Sequence, residues 1–349
     1  MPIYPDLRTA HANMQMKSHL YRPTSFWAHA SEQISEEIES GGVENFRRLP
    51  TPMGYFVPNY GSPTSGFTPT QVSRLKEVIA DEFPEQRKSQ LALKQYLDGY
   101  QAALADYRVM LAADNPRQLP YIHQFSESQF GNPVEQFSFD GKRYSRSSLN
   151  YLLGLSLLKK HLGDDPIRTV LEIGGGFGTL GEILSQSGIQ SLRYIDIDIP
   201  PTQFVAERYL RSALGQENVS GFSDTEHYES IDIEQLKTAS VLCSWQIEKL
   251  KLKVDLFVNF ISFQEMEPEV VENYLQHVKR LDTKWVLLRN MREGKQKLTA
   301  TTAGVKTPIK STDYIAMLDG YELVEANVHP FGFETVDGFH SELLLLKKK

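Results

Sequence analysis

From Arg168 to the C-terminus, short apolar runs alternate with stretches whose apolar residues recur every three or four positions. This alternation is typical of β-strands connected by helices, and it predicts βαβ units and a largely parallel sheet. One such helical stretch is Glu267–Leu281, whose apolar side chains fall on one face. Seven strands are predicted: Thr169–Ile173, Leu192–Ile197, Ser240–Cys243, Asp255–Ile261, Trp285–Leu288, Tyr321–Asn327 and His340–Leu346.

Only about a dozen residues rich in Gly, Pro and Phe separate the last two predicted strands. A connection without a helix lets the two strands pair as a hairpin, so we expect the final strand to be antiparallel. The predicted fold class is therefore α/β, with a Rossmann-like seven-stranded sheet that ends in an antiparallel hairpin.

The N-terminal part of the chain has a mainly helical pattern. A helix is expected near Ser31–Ser40, and Thr68–Gln71 has the composition of a capped helix start. Between Leu93 and Leu111, apolar residues recur at alternating spacings of four and three, which predicts one long amphipathic helix. The prolines and glycines of Pro50–Gly66 predict a surface loop.

The change of pattern divides the chain into two regions. Residues 1–140 form a mainly helical N-terminal region, for which we consider roles as a cap, a substrate lid or an association surface of a homodimer. Residues 141–349 form the Rossmann-like domain.

Composition and charge indicate which kinds of molecule the protein binds. The net charge is −7 and there is no long basic stripe, which argues against nucleic acid. No apolar run approaches the roughly 18 residues of a membrane span, and the first residues do not resemble a signal peptide. The single cysteine, Cys243, excludes an internal disulfide and lies in an apolar run. We expect a cytoplasmic protein with a small-molecule substrate and no membrane partner.

A glycine-rich turn follows the first predicted strand, in the stretch Glu172–Gly178, and precedes a predicted helix, Leu180–Ser185. Glycines there let the backbone approach a ligand and present N–H groups at a helix start. Gly176–Gly181 formally matches the dinucleotide pattern GxGxxG, so a site for NAD is one interpretation. Glu172 before the glycines, the terminal hairpin and the absence of a second βαβαβ half favour S-adenosylmethionine (SAM) instead.

The chain resembles the class I SAM-dependent methyltransferases in its glycine turn and its seven-strand ending. Within that class it is similar to a bacterial group of sugar O-methyltransferases, over about residues 120–346. The closer resemblance lies in the segments Gly131–Pro133, Tyr194–Pro201, Asn259–Met266 and Arg289–Asn290.

The resemblance implies roles for individual residues. The glycines would line the methionine part of SAM, and Glu172 would order the turn and face the ammonium group. Asp198 would accept hydrogen bonds from the ribose hydroxyls, with Asp196 as the rival. Ser244 and Trp245 follow the third predicted strand, where the resemblance places the adenine edge of SAM, and no acidic residue accompanies them. Trp245 would either stack on the adenine base or pack against the protein. The residues assigned to the cofactor are Glu172, Gly174, Gly175, Gly176, Gly178, Asp196, Asp198, Ser244, Trp245 and Asn259.

Three residues are candidates for the base that accepts the hydroxyl proton. Glu265 follows the fourth predicted strand, although Glu265 or Glu267 could equally cap the helix that begins near Pro268. His123 and His340 are the alternatives, and an isolated histidine is more often structural. No cluster with metal-ligand spacing is present in the sequence, so we expect no metal.

The stretch Arg289–Lys310 is rich in Lys and Arg and holds one acid, Glu293. We expect this loop either to cover the acceptor and clamp an anionic sugar or sugar nucleotide, or to be merely solvated. The predicted function is SAM-dependent O-methylation of a saccharide or sugar-containing molecule. The alternatives are an NAD-dependent oxidoreductase, an N- or O-methyltransferase of a non-sugar natural product, and a non-catalytic SAM-binding scaffold.

Overall fold

A computed structural model describes residues 4–61, 69–299 and 304–349. The N-terminal part is helical, as predicted. Its helices are α1 (Pro5–Gln15), α2 (Ser25–Gly41), α3 (Pro50–Tyr55), α4 (Pro69–Glu82), α5 (Arg87–Leu97) and α6 (Tyr100–Ala113). Helix α2 contains the helix expected near Ser31–Ser40. Thr68, the predicted cap of α4, lies outside the described residues.

The prediction of one long helix between Leu93 and Leu111 is wrong. The chain breaks between α5 and α6 at Gly99, whose φ is +79°. A Cβ there would lie 2.4 Å from the Tyr60 backbone, so the position requires glycine. Helix α5 buries none of its residues, and Leu93 is 38% exposed. The spacing of apolar residues is the same on both sides of Gly99, so the periodicity alone gives no sign that the helix is interrupted there.

Part of the predicted loop Pro50–Gly66 is helical. The six-residue helix α3 begins at Pro50, where proline has no amide hydrogen to lose to an intrahelical bond. The prolines of this stretch are therefore partly explained by the start of α3, and not by a loop alone. Residues 62–66 of the same stretch lie outside the described residues.

A small hairpin that the sequence pattern did not reveal leads into the second region. Its strands are β1 (Phe137–Phe139) and β2 (Lys142–Tyr144), which pair antiparallel. The two turn residues, Asp140 and Gly141, both have positive φ, as a tight two-residue hairpin requires. Helix α7 (Arg146–Leu162) follows, and the Ser145 and Ser148 side chains cap it reciprocally.

All seven predicted strands are present in one mixed sheet, with short strands β5 and β10 raising the count to nine. The strands are β3 (Thr169–Ile173), β4 (Arg193–Asp198), β5 (Val219–Ser220), β6 (Ala239–Cys243), β7 (Leu256–Phe260), β8 (Trp285–Met291), β9 (Tyr321–Asn327), β10 (Phe333–Glu334) and β11 (His340–Lys348). Helices α8 (Thr179–Ser185), α9 (Pro200–Leu214), α10 (Phe222–Thr225), α11 (Pro268–Arg280) and α12 (Ser311–Met317) connect them.

The strand order is β10-β11-β8-β7-β3-β4-β6-β5, with β9 on the other side of β11. Strands β3 to β8 are parallel, and β11 runs antiparallel to both β8 and β9. The predicted Rossmann-like α/β sheet with a C-terminal antiparallel hairpin is confirmed. Because β3, β4 and β7 are adjacent and parallel, their carboxyl ends meet at one edge of the sheet.

Apolar side chains cover both faces of the sheet. One core joins the sheet and α7 to N-terminal residues such as Ile34, Phe46 and Tyr107. The other core includes Cys243, which is buried as the apolar run predicted, and the inner face of α11. The N-terminal helices thus pack into the core of the sheet, and the division at residue 140 stays a prediction. Among the described residues, no helix is long and apolar enough to cross a membrane.

Candidate functional site

The glycine turn after β3 approaches its neighbours more closely than any residue with a side chain allows. Gly174, Gly176 and Gly178 have φ of +73°, +63° and +87°. A Cβ on Gly174 would lie 2.1 Å from the Ser262 Oγ, and one on Gly175 2.6 Å from the Asp196 Oδ1. The turn is therefore built by glycines at these positions, and its amide groups lie at the start of α8.

The two acids of β4 have different surroundings. Asp196 is fully buried, and its Oδ1 accepts a hydrogen bond of 3.2 Å from the Gly175 amide. Its Oδ2 has no hydrogen-bond partner among the described residues. Asp198 is partly exposed and accepts from the amides of Gly176 (3.3 Å) and Ile199 (2.7 Å). Burial raises the pKa of both carboxyls, that of Asp198 to about 7.

Glu172 links β3 to α7 and β4 through side-chain hydrogen bonds. Its carboxylate is fully buried and accepts hydrogen bonds from the hydroxyls of Tyr151 (2.6 Å) and Tyr194 (2.5 Å). Burial raises its pKa to about 7, against the lowering effect of the two phenols. Each oxygen thus accepts one phenol hydrogen bond inside the protein, and the role of Glu172 toward the ammonium group of SAM stays a prediction.

Asn259 joins the ends of three strands. Its amide nitrogen donates to the Ile173 carbonyl (2.9 Å) and to the Ser262 Oγ (2.6 Å), and its oxygen accepts from Asn290 (3.2 Å). The side chain is fully buried, so in this arrangement it positions the turn after β7.

That turn contains a strained residue. Ile261 has φ +74° and ψ −38°, a conformation that a β-branched residue adopts only at a cost of roughly 1–3 kcal/mol. Its amide donates to the Arg289 carbonyl at 2.6 Å, which pins the turn to β8. Strain of this kind is concentrated at functional sites.

Two cavities meet at the glycine turn. The α7 cavity has a volume of about 100 Å³ and the α9 cavity about 60 Å³. Both are bounded by Phe56, Gly174, Gly176 and Ser262. The α7 cavity is further lined by Tyr55, Pro58, Ser147, Asn150, Tyr151, Gly175, Phe260, Ile261 and Glu265. The α9 cavity is further lined by Arg22, Pro23, Thr24, Trp27, Asp198, Ile199, Thr202, Met266, Val270 and Tyr274.

The N-terminal region covers both cavities. The Thr24 hydroxyl donates to the Glu265 carbonyl (2.9 Å), and the Trp27 indole donates to the Glu265 carboxylate (2.9 Å). The Ser244 hydroxyl donates to the Tyr21 carbonyl at 2.6 Å. Two N-terminal segments, 22–27 and 55–58, therefore form a cover over the glycine turn. The sequence carried no periodic signal for this contact, because it joins residues more than 100 positions apart.

Glu265 lies at the boundary between the cover and the sheet. One carboxylate oxygen accepts from Trp27, and the other forms an ion pair of 2.6 Å with Lys295, whose ammonium lies 3.9 Å from the Phe26 ring centroid. Helix α11 begins at Pro268 as predicted, but its N-cap residue Glu267 makes no side-chain capping bond. Glu267 accepts instead from the amides of residues 306 and 307, so Glu267 occupies the N-cap position without a capping hydrogen bond.

The structure does not bring the other predicted residues to the cavities. His123 lies beside Asp114, with Nδ1 3.4 Å from a carboxylate oxygen. His340 forms an ion pair of 2.7 Å with Glu293. Ser244 is buried, and Trp245 packs edge-on against Phe222, so neither lines a cavity. For Trp245 the structure favours the packing interpretation.

Among the described residues of the basic stretch after Arg289, Lys295 contacts the lining of the α7 cavity. Lys295 is bound to Glu265, whereas Arg292 forms an exposed pair with Glu293. Lys297, Lys306 and Lys310 are exposed, and residues 300–303 lie outside the described residues. Beyond Arg289, the described part of this loop contacts the edge of the α7 cavity through Lys295, which is already paired with Glu265. Arg289, at the start of the stretch, is buried within the sheet.

No group of three or more metal-ligating side chains occurs among residues 4–61, 69–299 and 304–349. No protein-family model matches the chain, and no curated protein matches it.

Among solved structures, methyltransferases are similar to the chain at low identity and low TM-score. The chain is similar to magnesium protoporphyrin IX methyltransferase from Synechocystis PCC 6803 with bound SAH (16% identity, 58% of this chain and 83% of that chain, TM-score 0.41). It is also similar to a SAM-dependent methyltransferase from Aquifex aeolicus (17% identity, 58% and 93%, TM-score 0.37) and to the mitomycin 7-O-methyltransferase MmcR (13% identity, 100% and 74%, TM-score 0.37). Similarity at this level assigns neither a cofactor nor a substrate to this chain.

Proposed function

We propose that the chain is a SAM-dependent methyltransferase, and that it transfers the methyl group to a hydroxyl of a saccharide or sugar-containing small molecule. The observation that carries the proposal is the convergence of the glycine turn and the Asp198 carboxylate on the α9 cavity, at the carboxyl edge of a Rossmann-like sheet. Ligands of such sheets bind at this edge.

The residues around the α9 cavity suit an adenosine. A carboxylate such as Asp198 has acceptor capacity for two ribose hydroxyls, and it accepts hydrogen bonds here from the amides of Gly176 and Ile199. Ile199, Val270 and Tyr274 provide apolar and aromatic surface for a base. We prefer Asp198 to Asp196 as the ribose ligand, because Asp196 is fully buried and lines neither cavity.

The cover must move for such a ligand to enter. Sites for small molecules and cofactors measure roughly 300–1,000 Å³, and the two cavities here are about 100 and 60 Å³. Segments 22–27 and 55–58 form the outer walls, so their displacement would join and enlarge the cavities. We propose that the N-terminal region acts as a lid that closes over SAM and acceptor and excludes water.

The α7 cavity is the proposed place of the acceptor. SAM supplies a methyl group bound to a sulfonium sulfur, and most of the rate enhancement can come from aligning the acceptor oxygen with it. The hydroxyl proton must leave as the new bond forms. Glu265 lines this cavity and is our candidate to accept that proton, held in place by Trp27 and Lys295. His123 and His340 are not part of the proposal, because neither lines a cavity.

Calorimetry on the full chain tests the cofactor. We expect S-adenosylhomocysteine (SAH) to bind and NADH not to bind. The Asp198→Ala variant should weaken SAH binding at least about tenfold, since charge-assisted bonds of roughly 1.5–3 kcal/mol are lost. The matched control is Asp164→Ala, which removes an exposed carboxylate before β3, at the opposite edge of the sheet. Binding of NADH in place of SAH would refute the proposal in favour of an oxidoreductase.

The acceptor is tested separately. The chain is incubated with SAM and a panel of free sugars, sugar phosphates and nucleotide sugars, and SAH release and methylated products are measured by mass spectrometry. A methyl ether on a sugar supports the full proposal. SAH binding without transfer to any acceptor supports a non-catalytic SAM-binding protein, and transfer to a non-sugar hydroxyl or an amine refutes the saccharide assignment.

A further inference from the structure

Two arginines lie next to the α7 cavity without a carboxylate in ion-pair distance. Arg289, at the carboxyl end of β8, is fully buried, and Arg146 is the first residue of α7. Neither forms a salt bridge within the described part of the chain. Burying a guanidinium group costs several kcal/mol unless an anion or a full set of acceptors offsets the loss of water. Their placement therefore calls for an explanation.

The acceptors around Arg289 are neutral and incomplete. Its Nη1 donates to the side-chain oxygen (2.7 Å) and the main-chain carbonyl (3.3 Å) of Asn150, and its Nη2 donates to the Phe331 carbonyl. Its Nε is buried and has no hydrogen-bond partner. Five N–H donors are available on a guanidinium, so the contacts present leave donor capacity for an additional acceptor.

Arg146 has a similar environment. Its Nη1 donates to the Asn59 carbonyl at 2.9 Å, and its guanidinium carbon lies 5.5 Å from the Tyr60 ring centroid and 5.0 Å from that of Phe333. Arg289 also faces Phe333, at 6.0 Å. The two cations thus share one aromatic ring, which brings like charges together. In addition, a cation in the first turn of a 17-residue helix opposes the helix dipole.

One acid is in the neighbourhood. Asp106 of α6 acts electrostatically on both arginines, but its carboxylate is hydrogen-bonded to the Tyr60 hydroxyl at 2.5 Å rather than to either guanidinium. Two positive charges therefore face a single negative one. An additional oxyanion would balance the charge, would accept the unused N–H groups and would lie at the favourable end of the α7 dipole.

We propose that Arg146 and Arg289 form an oxyanion subsite, which binds a carboxylate or phosphate group of the methyl acceptor. The inference rests on the proposed function, because it treats the α7 cavity as the acceptor site. Asn150 supplies the connection, since it lines that cavity and accepts the Arg289 hydrogen bond. Arg146 is partly exposed, and Asn59, whose carbonyl accepts its hydrogen bond, lines a neighbouring cavity of about 930 Å³.

Inorganic phosphate and acetate are the probes of this subsite. The melting temperature of the full chain is measured with saturating SAH while phosphate or acetate replaces chloride at constant ionic strength. A ligand that binds the native state raises the melting temperature according to its concentration and Kd. We expect at least one of the two oxyanions to stabilise the wild-type complex, and the apparent Kd to rise about tenfold or more in Arg146→Gln.

Two further variants keep the test decisive. Arg168→Gln removes an exposed arginine before β3 and should bind the probe like the wild type. Arg289→Lys keeps the buried charge but not the planar fork, so it should bind the probe more weakly than the wild type. Because Arg146 is partly exposed, Arg146→Gln should still fold, and its melting temperature with SAH alone verifies this.

The outcomes separate the two proposals. A wild type that responds to SAH but to neither oxyanion refutes the subsite and leaves the methyltransferase proposal intact. An equal response of wild type and Arg146→Gln to the probe also refutes the subsite. A wild type that does not respond to SAH refutes the proposed function, whatever the oxyanions do.

Discussion

The hydrogen bond from Tyr194 to Glu172 provides a sharp test of the electrostatics beneath the glycine turn. In the variant Tyr194→Phe the ring remains, and only the hydroxyl that donates to the carboxylate at 2.5 Å is lost. Burial raises the Glu172 pKa from its ordinary value of 4.5 to about 7, and the phenol hydrogen bonds oppose this shift. Loss of one phenol should therefore raise the pKa of Glu172 further.

The cost of the substitution should depend on pH. A hydrogen bond to a charged group contributes roughly 1.5–3 kcal/mol and one to a neutral group roughly 0.5–1.5 kcal/mol. Tyr194→Phe should therefore cost about 1 kcal/mol more of the free energy of unfolding where Glu172 is ionised than where it is protonated. Because the folded state binds the Glu172 proton more tightly than the unfolded chain, this group stabilises the fold at low pH. That contribution is lost as the pH rises through about 7.

Urea unfolding of the ligand-free protein at about pH 5.5 and about pH 8.5 measures both effects. The control is Tyr321→Phe, which removes a buried phenol that donates to the neutral Thr283 carbonyl at 2.8 Å. Its cost should be the same at both pH values. A cost of Tyr194→Phe that is equal at the two pH values, or larger at the lower one, would show that Glu172 does not titrate as its burial implies.

Three further predictions concern the cavities. Gly174→Ala should weaken SAH binding at least about tenfold, because its φ is +73° and the new Cβ would lie 2.1 Å from the Ser262 Oγ; unchanged calorimetric affinity would exclude the turn from the site. Glu265→Gln should lower kcat by roughly 10²–10⁴ with unchanged SAH affinity, whereas normal turnover would mean that Glu265 is not the base. SAH should alter the intrinsic fluorescence through Trp27, since the other two tryptophans line neither cavity; a response that persists in Trp27→Phe would contradict the lid.

The local pattern of the sequence determined the C-terminal half well. Strand positions follow from runs such as Thr169–Ile173, because a parallel strand covered on both faces is largely apolar. The glycine turn was also predictable, since positive φ and close backbone approach select glycine at Gly174, Gly176 and Gly178. The short, helix-free connection before β11 was enough to predict the antiparallel hairpin.

Tertiary structure alone decided which polar groups lie together. His123 and His340 have the right chemistry for a base, but their surroundings place them against Asp114 and Glu293 instead of in a cavity. Glu172 has the predicted position in the motif, and the phenols of Tyr151 on α7 and Tyr194 on β4 bind its two oxygens. Such contacts depend on how helices and strands pack, which the spacing of residues along the chain does not encode.

The same reason explains the role of the N-terminal half. Its sequence predicted helices, with a hinge at Gly99 that periodicity missed, but gave no indication of what those helices cover. Trp27 and Phe56 reach the glycine turn only because α2 and α3 pack on the carboxyl edge of the sheet. Hydrophobic periodicity shows that one face of a helix is buried, but it does not show which element covers that face. The sequence therefore determined the sheet and its glycine turn. The N-terminal cover over that turn was decided only by the tertiary packing.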